Sequence, residues 1–299
     1  MDLKFAWWNC GLSPPSTKAK KKEPNLGFVI SIITLLESRE VDVLGICEVN
    51  EQDIDLIANI IESLENTELK LVNLYKKQGN SIEDFCLVYN AKKLSITSYG
   101  ESLNAWDTVT DKKLKAGVSA NFVLNNEIPI SLILCHWQSR KSYPHESPQR
   151  IKLGATLRSN IDEILSANVN SLIVVLGDFN DEPFDKPIQD HLSASRDAAF
   201  VIRKPRSLFN PFWSCLGTMD EVQHHPRSSG SCYYQDDGNM THWKTFDQIL
   251  FSSAFLKPNW EFVDKGAEIV NDIPIQDVDL AWSEISDHYP VLSHIRRIA

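Results

Sequence analysis

No apolar run in this chain approaches the roughly 20 residues needed to cross a bilayer, which argues against insertion into a membrane. No Cys-x-x-Cys pair occurs among its six cysteines, so neither a zinc site nor a disulfide framework is expected. Cys47, Cys86 and Cys135 lie inside apolar runs, Cys10 follows one, and Cys215 and Cys232 stand in a loop-rich region, a usage that fits reduced thiols. The first residues, Met1 to Asn9, enter a strand-like pattern at once without the shape of a signal peptide, and a cytoplasmic location is expected. Positive charge is also scarce. A formal net charge of −10 argues against broad electrostatic capture of nucleic acid, although bound cations would reverse the field at a carboxylate-lined site. There is no internal repeat, low-complexity tract or linker, so residues 1–299 are read as one catalytic-size domain.

What is present is led by Ser171 to Pro183. Its apolar run reads as a strand buried on both faces, ended by Gly177, with Asp178 and Asn180 just past the end. Taken alone this is also an ordinary strand-to-turn exit. The other predicted strand ends carry matching chemistry, however. Leu3 to Trp8 is followed by Asn9, Val41 to Cys47 by Glu48, and Ile128 to Cys135 by His136. Phe246 to Phe251 carries Asp247, Glu83 precedes Phe85 to Tyr89, and Asp287-His288 precedes Val291 to Ile295. Helical spacing marks Phe28 to Ser38, Gln52 to Leu64 and Ile151 to Leu165. Gly117 to Leu124 and Ile128 to Cys135 form a hairpin around Asn125-Asn126-Glu127. Many strands with few helices suggest an α+β sandwich with helices outside.

Buried carboxylates are costly unless paired or bound to a cation. This set, rich in oxygen and with only two histidines, suits Mg²⁺, with Mn²⁺ as a substitute, better than zinc. Two imidazoles beside carboxylates suit proton transfer in metal-assisted phosphoester hydrolysis.

Trp8-Asn9, Ile46-Cys47-Glu48-Val49, Cys135-His136-Trp137, Gly177-Asp178-Phe179-Asn180-Asp181, Phe246-Asp247-Gln248-Ile249 and Ser286-Asp287-His288-Tyr289-Pro290 follow the order seen in the endonuclease/exonuclease/phosphatase superfamily. The sequence resembles its bacterial nuclease-like members most. That resemblance implies a four-layer α/β/β/α sandwich of two mixed sheets and a divalent metal. It implies Glu48 as the main metal ligand with Asn9 and Asp287 near it. Asp178 would orient or deprotonate the attacking water, and Asn180 would fix the water and the phosphate. His288, paired with Asp247, would contact the phosphate. His136 would be the second acid–base imidazole, supported by Glu83. Arg140, Trp137 and Arg150 are candidate substrate contacts.

Nucleic acid is the first choice of substrate, DNA slightly ahead of RNA. Lys18, Lys20, Lys21 and Lys22 could touch phosphates or form a solvated loop. Trp137, Trp213, Tyr233, Tyr234 and Trp243 could stack on bases or belong to the core. The alternatives are a phosphatase or phosphodiesterase of small phosphoesters and, remotely, an inactive binding module. Ser207 to Thr245 could be a specificity lid or a surface loop.

Overall fold

The computed structural model describes residues 1–15, 21–64, 68–79, 81–217, 230–234, 241–275 and 280–298. Two mixed seven-stranded sheets pack face to face. The first comprises β1 (Asp2–Asn9), β2 (Val43–Cys47), β3 (Leu69–Asn73), β6 (Phe85–Asn90), β16 (Trp260–Phe262), β17 (Glu268–Ile269) and β18 (Val291–Arg297). The second comprises β7 (Leu94–Asp107), β8 (Lys112–Leu124), β9 (Ile128–His136), β10 (Leu172–Asp178), β11 (Ala194–Ser195), β12 (Leu208–Phe209) and β15 (Asp247–Ser252). Two small hairpins pair β4 (Lys76–Gln78) with β5 (Ser81–Glu83) and β13 (Cys232–Tyr233) with β14 (Trp243–Lys244). The α+β sandwich expected from the sequence is the fold observed.

Period-2 alternation builds the layers. On β1, Leu3, Phe5 and Trp7 point between the sheets, where they meet Val174, Leu176, Ile249 and Phe251. Ala6 and Trp8 point outward onto α1 (Leu26–Ile33) and α2 (Glu51–Ser63). On β10, Ile173 and Val175 face outward onto Leu153, Leu157 and Ile161 of α3 (Pro148–Ala167). Asn50 caps α2, its side chain accepting from Asp53 N at 3.0 Å while Asp53 accepts from Asn50 N at 2.8 Å. This reciprocal cap, two residues after Glu48, starts α2 at Glu51 and so fixes where the preceding loop ends.

Two differences from the sequence reading have plain causes. The strand Leu94–Asp107 carries few buried residues and therefore little apolar alternation, because it lies at a sheet edge. Trp282 opens a single helical turn, Trp282–Ile285, too short for a helical period to show in the sequence. Lys18 and Lys20, and most of Ser207 to Thr245 beyond residue 217, lie outside the described residues. Among those described, all six cysteines are free and buried. No described helix is long and apolar enough to cross a membrane.

Candidate active site

Strand register gathers the polar residues at one end of the sandwich. Asp178 lies opposite His136 on β9 and opposite Asp247 on β15, so the three stand abreast on adjacent strands. Gly177 permits this approach, since a Cβ there would sit 2.2 Å from the carbonyl oxygen of Cys135. On the facing sheet Asn9 pairs with Cys47, which places Asn9 beside Glu48. Glu48 and Asn180 both adopt left-handed backbone, at φ 59° and 51°. For a glutamate this costs on the order of 1 kcal/mol, held here by surrounding hydrogen bonds.

Asp178 is the hub. Its Oδ1 accepts the Asn180 amide at 2.8 Å, and its Oδ2 accepts both Asn9 Nδ2 and Asn180 Nδ2 at 3.1 Å. The Nε2 atoms of His136 and His288 stand 4.0 Å and 3.9 Å from that same Oδ2. Each ring is anchored from behind by a buried carboxylate. His288 Nδ1 lies 2.7 Å from Asp247 Oδ2, and His136 Nδ1 lies 2.8 Å from Asp84 Oδ2. Trp7 Nε1 and Ser231 Oγ donate to Asp247 at 3.0 Å and 2.8 Å, and Asp84 also accepts the Glu48 amide at 3.2 Å.

The electrostatics follow from burial and pairing. Burial opposes the charge on Asp84, but the His136 imidazolium and Lys115 outweigh it and hold the carboxyl at about 2. Burial likewise opposes protonation of His136, yet Asp84, Glu48 and Asp178 raise it to about 9. His288 is raised well above the usual imidazole range against burial, with Asp247 and Asp178 among the causes. Burial pushes Glu48 up to about 7, with His136 opposing and Asp84 adding to the rise.

Three sequence expectations are corrected by these contacts. Glu83 does not support His136. It lies 3.8 Å from Lys113, whereas its neighbour Asp84 turns to the ring. Successive residues of an extended chain face opposite ways, and only tertiary packing decides which of two adjacent acids faces the site. Trp137 is fully buried, donates to Ala116 O at 3.1 Å and packs edge-on to Phe179, so it is core rather than a substrate contact. Arg150 is also fully buried. It donates to Asp181 at 2.7 Å, Gln138 O at 2.8 Å and Phe179 O at 2.6 Å, tying together the segments after β9 and β10.

Arg140 lies between these cases: it donates to Asn180 O at 2.9 Å and Asp185 at 2.6 Å and lines a 450 Å³ cleft beside the site. Asp287 is exposed and contributes to the rise of the Glu48 carboxyl. Among the aromatics, Trp243 stacks on Tyr289 and Tyr289 on Trp282, while Tyr233 stays half exposed. Asp84, Ser231 and Trp7 were missed. Asp84 carried a signal, an acid directly before a buried strand, but Ser231 and Trp7 meet Asp247 only across the fold.

The donor set fits a hard cation. Glu48 has the Asn9 amide at 3.4 Å and His136 at 3.6 Å, and burial holds its proton affinity high, as expected of a carboxylate placed to receive positive charge. Asn9 Oδ1 accepts the Gly11 amide at 3.2 Å, so the side chain now meets both carboxylates as a donor. A second grouping, Asp178, Asp247 and His288, brings its possible ligand atoms within 4.8 Å of one another. There the Nδ1 of His288 is already engaged by Asp247, which suits an acid–base pair better.

The model of the Endonuclease/Exonuclease/phosphatase family matches residues 13–297. No curated protein matches in sequence. Among solved structures, an endonuclease/exonuclease/phosphatase from Bacteroides vulgatus is similar at 14% identity, covering 100% of each chain, with a TM-score of 0.60. D. rerio TDP2 complexed with single strand DNA product is similar at 15% identity, covering 99% of each chain, with a TM-score of 0.60. The human Nocturnin catalytic domain with bound sulfate anion is similar at 13% identity, covering 99% of this chain and 95% of that one, with a TM-score of 0.59. At these identities the likeness is one of fold.

Proposed function

We propose that this chain, which belongs to the endonuclease/exonuclease/phosphatase family, is a divalent-metal-dependent phosphodiesterase that hydrolyses nucleic acid, DNA ahead of RNA. The observation that carries the reading is the pair of carboxylate-anchored imidazoles converging on one oxygen of Asp178. A similar protein, D. rerio TDP2, holds a single-stranded DNA product, which supports a nucleic-acid substrate.

Mg²⁺, or Mn²⁺ in its place, would be held by Glu48 with Asn9 and Asp287 near it. When bound, it supplies positive charge to the phosphate and lowers the cost of an oxygen nucleophile. The protein's own residues do the rest. Asp178, fixed by three hydrogen bonds, takes a proton from water or orients it. Asn180 holds both Asp178 and, through its backbone carbonyl, Arg140. His288 and His136, both protonated near neutral pH, donate hydrogen bonds to phosphate oxygens, and either passes a proton to the leaving oxygen. The buried Asp247 and Asp84 keep each ring oriented. The chain works as one catalytic domain, and its buried thiols fit the cytoplasm.

Purified protein is incubated with single-stranded DNA, duplex DNA and RNA, with Mg²⁺, Mn²⁺ or EDTA, beside Asp178→Ala and His288→Ala. Metal-dependent cleavage that falls by about 10²–10⁴-fold in each variant is expected. Phosphate release from nucleotides or inositol phosphates, without polymer cleavage, would establish the small-phosphoester alternative instead. Wild-type-like turnover in either variant would remove the assignment of roles.

A further inference from the structure

We propose that the 450 Å³ cleft beside the reacting centre reads one base of the substrate strand, an inference that rests on the nuclease reading above. Glu182 and Lys244 would select guanine there, and Phe184 would offer it a stacking face. The cleft shares a wall with the reacting centre through Arg140, whose Nε donates to Asn180 O at 2.9 Å. Lys244, also in the lining, ties it to the site by a second route. Cys232 pairs opposite Lys244 on β14 and bridges to His288. Lys244 therefore stands two strand spacings, about 10 Å, from His288. A nucleotide whose phosphate lies between the two imidazoles spans that distance with its base.

Most polar groups of the cleft are already taken. Asp185 accepts from Arg140 at 2.6 Å and from the Glu182 amide at 2.7 Å, and it lies 2.8 Å from His145. Arg140 also sits over the Phe246 ring at 4.7 Å. The Glu182 carboxylate is the exception. It is only 9% exposed, and its one hydrogen-bond partner among the described residues is Lys244 Nζ, at a long 3.5 Å. Burial pushes this carboxyl up, with Lys244 opposing, so further donors would favour its charged form. Arg140 and Lys244 are matched by Asp185 and Glu182. A cleft without excess charge suits a neutral ring better than a second phosphate. A carboxylate accepts two donors side by side, and an ammonium beside it donates to an acceptor. Guanine alone among the bases presents that edge: two adjacent donors, N1–H and the 2-amino group, next to the acceptor O6. Phe184 is 47% exposed and braced by Trp213, with ring centroids 6.3 Å apart at 62°. A ring held in this way provides a face on which an unpaired base stacks.

The test uses oligodeoxythymidylate carrying a single guanine, adenine, cytosine or hypoxanthine. It measures cleavage beside that base relative to the flanking thymines of the same molecule, at fixed Mg²⁺, with bis(p-nitrophenyl) phosphate assayed alongside. Wild type is expected to favour guanine about ten-fold over adenine and cytosine. Hypoxanthine, which lacks the 2-amino group, should fall between. Glu182→Gln is expected to abolish the preference. Should that variant fail to fold, Lys244→Met, which removes the donor to O6, takes its place and is expected to weaken the preference. Phe184→Ala is expected to raise KM for the oligonucleotide about ten-fold. No guanine preference in the wild type, a full preference in the folded Glu182 or Lys244 variant, or an unchanged KM in Phe184→Ala overturns the base-reading cleft and leaves the nuclease reading standing. If the wild type hydrolyses the small diester but no oligonucleotide, both the base-reading cleft and the polymer substrate fall. If it hydrolyses neither, the phosphodiesterase reading fails as well.

Discussion

Replacing Arg150 with methionine separates a structural tie from a substrate contact. The guanidinium is fully buried against an equally buried Asp181 and donates to the carbonyls of Gln138 and Phe179. Methionine fills much of the volume but leaves the Asp181 carboxylate and two carbonyls without this donor. Breaking one side of a buried ion pair costs about 3–5 kcal/mol. For a chain of this size that corresponds to roughly 6–10 °C in melting temperature. Asp181 already lies high, at about 6, because burial outweighs the Arg150 charge, so losing that charge raises it further. Adding Asp181→Asn should recover about 1–3 kcal/mol through the coupling between the two sites. Activity should fall through kcat, because the two carbonyls belong to the segments that carry His136, Asp178 and Asn180. Urea and thermal unfolding measure the stability, and steady-state kinetics split kcat from KM. A variant that melts like wild type but has a raised KM would refute this reasoning and restore Arg150 as a substrate contact.

Asp84→Asn should lower the titration of His136 from about 9 toward the ordinary imidazole range, while Glu83→Gln leaves it in place; NMR titration of the ring decides between them. Because Asp84 is lowered and His136 raised, their shared stabilisation is complete between the ordinary carboxylate and imidazole values. It is lost as pH falls through about 2 or rises through about 9. The stability gap between wild type and Asp84→Asn should therefore shrink by about 2 kcal/mol from pH 6 to pH 9.5, measured by urea unfolding. Glu48 is raised to about 7 by burial, so its ionisation costs stability above that pH when no cation is bound. Glu48→Gln should thus melt higher than wild type in EDTA at pH 8, and should lose the rise in melting temperature that Mg²⁺ produces. An equal Mg²⁺ effect in both proteins would remove Glu48 as the main ligand.

The local order of this chain was written in its periodicity. The alternation of Leu3 to Trp8 and the continuous apolar run before Gly177 depend on neighbours two residues apart, and so each could be read without the fold. The polar residues at the strand ends were legible for the same reason: a strand buried on both faces makes a rigid mount, and it displays the side chains at its end. His136, Asp178 and Asp247 stood out singly, and strand register then put them abreast.

What remained hidden depended on packing. Adjacent acids such as Glu83 and Asp84 differ only in which face each presents. Arg150 and Trp137 are residue types that serve a surface or a core equally well, and burial alone assigns them. Ser231 reaches Asp247 across 16 residues and Trp7 reaches it across 240, distances over which no sequence period carries information. The sequence by itself therefore determined the two-sheet fold and the family, and it singled out the polar residues at the strand ends. Tertiary structure alone decided which carboxylate holds which imidazole, because that choice is made by contacts between strands and not along them.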